Sequence, residues 1–266
     1  IGAPGYPSYR QILKSLGISP VDIVTNVKNK FQPTAKDVVS QNLDGLLVAS
    51  PSNPTGTMLS KDELTDLIDA SHSIGANFIS DEIYHGIQYE KKAVSALEVT
   101  DDCYVINSFS KFFSMTGWRV GWMVVPQDHI RVVERLAQNL FICSPHVSQV
   151  AALEAMSCED ELTKNLNIYR KNRQIIMDEL QRIGLQSFAP PDGAFYFYID
   201  ISKYSDDSLS FCNDILQEVG VAITPGVDFD PARGKTTIRI SYARSTDEIT
   251  EGINKLGDFM KKRGYF

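Results

Sequence analysis

Along this chain, short unbroken apolar runs alternate with stretches in which apolar residues return every three or four positions. The run at 45–49, between Asp44 and Pro51, predicts a buried strand that ends in a turn built from Ser52-Asn53-Pro54-Thr55-Gly56. Ser60 with Glu63 three positions on forms a capping box, and Leu64, Leu67, Ile68 and Ser71 continue at helical spacing toward a stop at Gly75. Residues 76–80 read as a second strand with Asp81-Glu82-Ile83-Tyr84 at its carboxyl end. Residues 103–107 read as a third, delivering the chain into Ser108-Phe109-Ser110-Lys111, and 120–125 as a fourth after a glycine-containing turn. Strand and helix alternate, which predicts an α/β layered domain with a mostly parallel sheet.

From Gln127 to Gly184 the pattern is helical, with charged residues on the solvated faces. After Pro190-Pro191-Asp192-Gly193 it changes to a strand at 194–201, a helix at 209–219, a strand at 236–242 and an amphipathic helix at 246–262. The expected organisation is a large domain over 1–160, then a linking helix and a smaller α+β domain over 161–266. On the strand carrying Phe195-Tyr196-Phe197-Tyr198, alternation predicts one core face and one outer face, so the run is not read as a substrate pocket.

The 266 residues are 43% hydrophobic and carry a net charge of −7, which removes any general attraction to nucleic acid or an anionic membrane. No apolar run approaches the roughly 20 residues that span a bilayer, and no basic segment followed by an apolar core opens the chain. The four cysteines follow no zinc or secreted-framework spacing, which fits a reducing, cytoplasmic setting. The histidines, His72, His85, His129 and His146, lack metal-ligand spacing, so no metal site is expected; His85 suits either a cofactor contact or a packing role. The opening Ile1-Gly2-Ala3-Pro4 reads as the interior of a longer, truncated or processed chain.

Three clusters, around Asn53, Asp81 and Lys111, each follow a predicted strand, where ligand sites of open α/β sheets gather. Lys111, flanked by Ser108, Ser110, Phe112 and Phe113, sits in surroundings that favour a neutral amine for covalent chemistry; a lysine snorkelling at a domain edge gives the same pattern. Asp81 is either a functional carboxylate or the cap of the next segment, and a helical turn would put Tyr84 on its side. Asn53 before Pro54 also fits a plain turn former, Arg119 a surface cation, and Arg239 a solvent-facing strand residue.

The segment Ser108-Phe109-Ser110-Lys111-Phe112-Phe113-Ser114-Met115-Thr116-Gly117-Trp118-Arg119-Val120-Gly121 matches the pyridoxal-phosphate attachment signature of the class I and II aminotransferases at every position. With Ser52-Asn53-Pro54-Thr55-Gly56, Asp81-Glu82-Ile83-Tyr84 and Arg239 in the family's order, the whole chain resembles a fold-type I, aspartate-aminotransferase-like enzyme. The resemblance implies a three-layer large domain of the pyridoxal-phosphate-transferase kind, its N-terminal part missing, followed by a smaller α+β domain. It further implies that Lys111 forms a Schiff base with pyridoxal 5′-phosphate and shuttles the substrate's α-proton, while Asp81 pairs with the ring nitrogen. Tyr84 and Asn53 hydrogen-bond the ring's phenolic oxygen, Ser108 and Arg119 bind the phosphate, Tyr6 stacks on the ring, and Arg239 grips the substrate α-carboxylate together with Asn53. A cis peptide bond is expected at Asn53-Pro54.

The implied reaction moves an amino group from an α-amino acid to a 2-oxo acid in a homodimer, with no nucleic-acid or membrane partner. Dicarboxylate-specific relatives carry an arginine before the helix that starts here near Pro145; residues 137–144 contain none, which favours a neutral or aromatic amino donor. The family's glycine/serine-rich helix start, whose amides hold the phosphate, is absent from this sequence, so residues 1–266 alone are expected to bind the cofactor poorly. Two alternatives stand beside this reading: a carbon–sulfur β-lyase on the same fold, and an aminotransferase-like sensor domain of a transcription factor.

Overall fold

The computed structural model describes residues 1–266. In chain order it holds β1 (Gly2–Ala3), α1 (Pro7–Ser15), β2 (Ile23–Val24), α2 (Ala35–Val39), β3 (Gly45–Ala49), α3 (Lys61–Ser73), β4 (Asn77–Asp81), β5 (Tyr104–Ser108) and β6 (Gly121–Val124). The helices α4 (Ile130–Leu140), α5 (His146–Ala155) and α6 (Glu159–Arg182) follow. The chain closes with β7 (Tyr196–Asp200), α7 (Ser208–Val219), β8 (Thr224–Pro225), β9 (Thr237–Ser241) and α8 (Thr246–Lys262). No helix is long and apolar enough to cross a membrane.

These elements form two compact units: Pro33–Pro51 with Met58–Leu166, and Ile1–Gln32 with Ser52–Thr57 and Asn167–Phe266. The sequence pattern puts a boundary at 160/161. In the structure α6 runs through that point, and the first 32 residues and the 52–57 turn join the C-terminal unit. Hydrogen bonds explain the regrouping: the Gly5 amide donates to the Phe229 carbonyl at 3.0 Å and the Gly193 amide to the Gly56 carbonyl at 2.8 Å.

The unit built on 33–51 and 58–166 has a four-stranded sheet in the order β3-β4-β5-β6, its first three strands parallel and β6 antiparallel to β5. Period-two burial specifies the strands, with Leu46 and Val48 of β3 and Phe78 of β4 buried. The parallel register brings Ala49 beside Asp81 and Asp81 beside Ile106, so the chemically loaded segments leave the carboxyl edge together. Between β3 and β4, α3 starts at the Ser60/Glu63 capping box and buries Leu64, Leu67 and Ile68. By contrast, α4 buries no residue, and its Val132, Leu136 and Leu140 are exposed, as are all four residues of β6.

The other unit carries an antiparallel sheet in the order β7-β9-β8 and the short parallel pair β1-β2. Its core includes Leu180, Ile183, Phe197, Ile238, Tyr242, Leu256 and Phe259. The expectation of one outer face for the run at 195–198 is corrected here: all four aromatics are buried. Phe197 packs against Phe188 and Tyr242, while on the opposite face Tyr198 meets Phe31 and Phe229, and Tyr196 lies under Arg239. A strand covered on both faces loses the polar half of its alternation.

Candidate active site

At the end of β4, Asp81 Oδ1 accepts a hydrogen bond from the Ile83 amide at 3.0 Å and so shapes the turn that carries Tyr84, whose ring is buried. The neighbouring Glu82 is buried and accepts from Ser80 Oγ (3.0 Å), Ser95 Oγ (3.1 Å) and the Ala96 amide (2.8 Å). His85 belongs to this packing: its Nε2 lies 3.0 Å from the Ser50 carbonyl and its Nδ1 3.4 Å from Glu82. A carbonyl only accepts, so Nε2 carries a proton. The turn closes at Gly86, φ +93°, where a Cβ would stand 2.4 Å from Cγ of Phe112. A residue without a side chain is therefore what lets the Phe112 ring press on this turn.

Phe112 follows Lys111, whose Nζ lies 5.7 Å from the centroid of the Tyr84 phenol ring. The loop from Ser108 to Val120 is held mostly by its own hydrogen bonds. Ser108 Oγ lies 2.8 Å from Ser110 Oγ and 3.0 Å from the Val120 carbonyl, and accepts from the Ser110 amide at 3.0 Å. Thr116 Oγ1 donates to the Ser110 carbonyl at 2.6 Å, and the Arg119 guanidinium to the Thr116 carbonyl at 2.9 Å. Phe109 packs on Phe113 and Trp122. Ser114 and Arg119 both have left-handed backbones, with φ of 55° and 56°. For residues other than glycine such geometry costs roughly 1–3 kcal/mol each and concentrates at functional sites.

In the other unit, the guanidinium of Arg239 on β9 lies between two rings, 4.5 Å from the Tyr196 centroid and 4.7 Å from that of Phe229. Its Nη1 donates to Asn53 Oδ1 at 3.1 Å and its Nη2 to Thr224 Oγ1 at 3.2 Å. Arginine can only donate, so this bond fixes the orientation of the Asn53 amide and turns its NH2 end away from Arg239. The Asn53-Pro54 bond is cis as expected, and so are Ala3-Pro4 and Ser50-Pro51. Tyr6 precedes α1, is exposed, meets Tyr9 edge-on at 5.4 Å, and lines a cavity of about 190 Å³ with Phe229, Asp228 and Arg10.

Asp81, Tyr84, Ser108, Lys111 and Arg119 thus share one unit, and Tyr6, Asn53 and Arg239 the other. The partners of Arg239 were missed in the sequence. Its β7 register supplies the signal: Arg239 pairs with Tyr198, so Tyr196, Tyr198 and Arg239 share one sheet face. Thr224 and Phe229 carried no such signal, because β8 is only two residues long and Phe229 follows in a 3₁₀ turn.

The family model for aminotransferase class I and II matches residues 1–256. The chain belongs to the class I and II aminotransferases. Members of this family depend on pyridoxal 5′-phosphate and move an amino group between amino acids and 2-oxo acids, and this chain is an enzyme of that kind. It is 42% identical to a valine–pyruvate aminotransferase of Mycobacterium tuberculosis, over 98% of this chain and 69% of the relative. A protein of Silicibacter pomeroyi provisionally assigned as an aminotransferase superposes with a TM-score of 0.97 at 60% identity, covering 98% of this chain and 71% of the other. An aspartate aminotransferase of Thermus thermophilus, solved with maleate, gives a TM-score of 0.88 at 28% identity over 97% and 68% of the two chains. The fold is thus the fold-type I, aspartate-aminotransferase-like architecture.

Proposed function

We propose that this aminotransferase uses Lys111 as its covalent amine and takes a neutral or aromatic amino acid as donor. The reading is carried by the placement of Lys111 Nζ over the Tyr84 ring, in the unit whose strands end in Asp81 and Ser108. The donor set there fits pyridoxal phosphate: an amine, a carboxylate, a phenol, two serine hydroxyls and a guanidinium within one strand-edge region. When bound, that group supplies an aldehyde for amines and a ring that draws electrons from the reacting carbon.

Lys111 would provide the anchoring amine and would hold and move the proton of the substrate α-carbon. With the cofactor bound, Asp81 would keep a proton on its ring nitrogen, and Tyr84 and the NH2 of Asn53 would donate to its ring oxygen. Ser108 and Arg119 would bind its phosphate, the arginine through a planar fork that matches it. Tyr6 would stack on its ring. Arg239, held flat between Tyr196 and Phe229, grips the carboxylate common to both substrates, beside Asn53.

The neutral or aromatic donor follows from residues 137–144, which contain no arginine, and agrees with the relative named for valine and pyruvate. A homodimer is part of the reading, supported by the apolar residues that α4 and β6 leave exposed. A cytoplasmic setting is supported by four free thiols. The test is single-turnover amino transfer from valine, phenylalanine and aspartate by the holoenzyme. The reading expects valine or phenylalanine to exceed aspartate about tenfold or more, close to 1.4 kcal/mol in the barrier. Preference for aspartate overturns it.

A further inference from the structure

Arg233 lies six positions before Arg239, outside every motif that marks the family, yet its guanidinium reaches two carbonyls more than 200 positions away in the chain. Its Nη1 donates to the Thr25 carbonyl and its Nη2 to the Ala3 carbonyl, both at 2.7 Å, while Nε donates to Asp230 Oδ2 at 2.7 Å. Asp230 is buried, and its other oxygen accepts from the amides of Ala232 (3.1 Å) and Arg233 (3.0 Å). The carboxylate therefore aims the guanidinium, and the guanidinium joins two carbonyls that belong to β1 and to the residue after β2. Thr25 Oγ1 adds a bond to the same Ala3 carbonyl at 2.9 Å.

Two elements assigned to substrate and cofactor hang from this joint. Ala3 leads directly into Pro4, Gly5 and Tyr6, and the Gly5 amide donates to the Phe229 carbonyl at 3.0 Å. Phe229 in turn precedes Asp230 and lays its ring on the Arg239 guanidinium. The loop that follows is closed backbone to backbone: a Cβ on Gly234 would stand 2.2 Å from the Gly226 carbonyl oxygen, and one on Gly226 2.7 Å from the Gly234 carbonyl oxygen. The loop cannot slide without opening that contact, so its position is transmitted to both Tyr6 and Phe229.

We propose that Arg233, aimed by Asp230, is a positioning residue for substrate recognition, fixing the Tyr6 segment and the Phe229 ring against which Arg239 is held flat. The proposal rests on the assignment of Arg239 to the substrate carboxylate. Three donors in divergent directions are a task for a guanidinium; one ammonium satisfies at most part of it. Loss of Arg233 frees Phe229, and Arg239 then meets the carboxylate with less of its bidentate geometry in place.

The test compares Arg233→Met, Arg233→Ala, Asp230→Asn and Arg239→Lys in the holoenzyme, with kcat and KM measured for amino donor and 2-oxo acid. Arg233→Met is expected to raise both KM values about tenfold with kcat changed less than about threefold, and Asp230→Asn to move them in the same direction by less. Millimolar guanidinium ion is expected to restore the KM of Arg233→Ala; the split between raised KM and nearly unchanged kcat is what a purely structural role does not produce. If Arg239→Lys raises KM while Arg233→Met and Asp230→Asn only lower Tm, the proposal falls and the assignment of Arg239 stands. If Arg239→Lys leaves KM unchanged, both fall. Should Arg233→Met fail to fold, Asp230→Asn decides by the same KM criterion.

Discussion

The side-chain nitrogen of Lys111 and the ring of Tyr84 stand 5.7 Å apart, nitrogen to centroid, although 27 positions separate them in the chain. Their two loops also meet at Gly86, two residues after the tyrosine, where the ring of Phe112, the residue after the lysine, presses on the backbone.

Gly86→Ala tests that contact. The new methyl group meets the Phe112 ring at 2.4 Å and the backbone keeps φ at +93°, so the two loops must separate or strain. A loss of about 1–3 kcal/mol in stability is expected together with lower kcat. Urea unfolding and steady-state kinetics check it; unchanged values for both contradict it.

Asp81 serves two readings that a single substitution separates. Asparagine keeps an oxygen for the Ile83 amide and is a good cap, so Asp81→Asn is expected to leave Tm nearly unchanged. Without the negative charge, kcat is expected to fall by about 10² or more. Retained activity with a lowered Tm would mean that capping is the carboxylate's whole role.

Arg119 offers its fork from a strained backbone and is tied to Thr116. Arg119→Gln is expected to weaken binding of pyridoxal phosphate about tenfold to a hundredfold, read by absorbance titration of apoenzyme. An unchanged Kd would return Arg119 to the surface-cation reading.

Alkaline stability follows from buried thiols. Burial first, then the charge of Glu82, pushes Cys103 up from 9.0 to about 11, and burial pushes Cys212 to about 12. In both cases the folded state holds the proton more tightly than the unfolded chain. Their contribution is complete below pH 9 and is lost as pH rises through the folded values, between about 9 and 12. Tm is expected to fall over that window, and Cys103→Ala to flatten the fall; equal slopes contradict it.

Much of this is legible in the sequence. The strand at Gly45–Ala49 and the helix at Thr246–Lys262 appear where apolar spacing places them, since each has one buried face and a clear stop or cap. Residues 1–44 gave no elements, because β1 and β2 are two residues each and α1 buries nothing. The surroundings of Arg239 were hidden for a different reason. Tyr196, Phe229 and Thr224 come from three segments joined only by sheet pairing and a 3₁₀ turn, and local periodicity carries no record of such pairing.

The most direct measurement is borohydride reduction of the holoenzyme, digestion, and mass-spectrometric location of the cofactor-labelled residue. The account predicts the label on Lys111, and none after Lys111→Ala. A label on any other lysine, or one that survives that substitution, contradicts it.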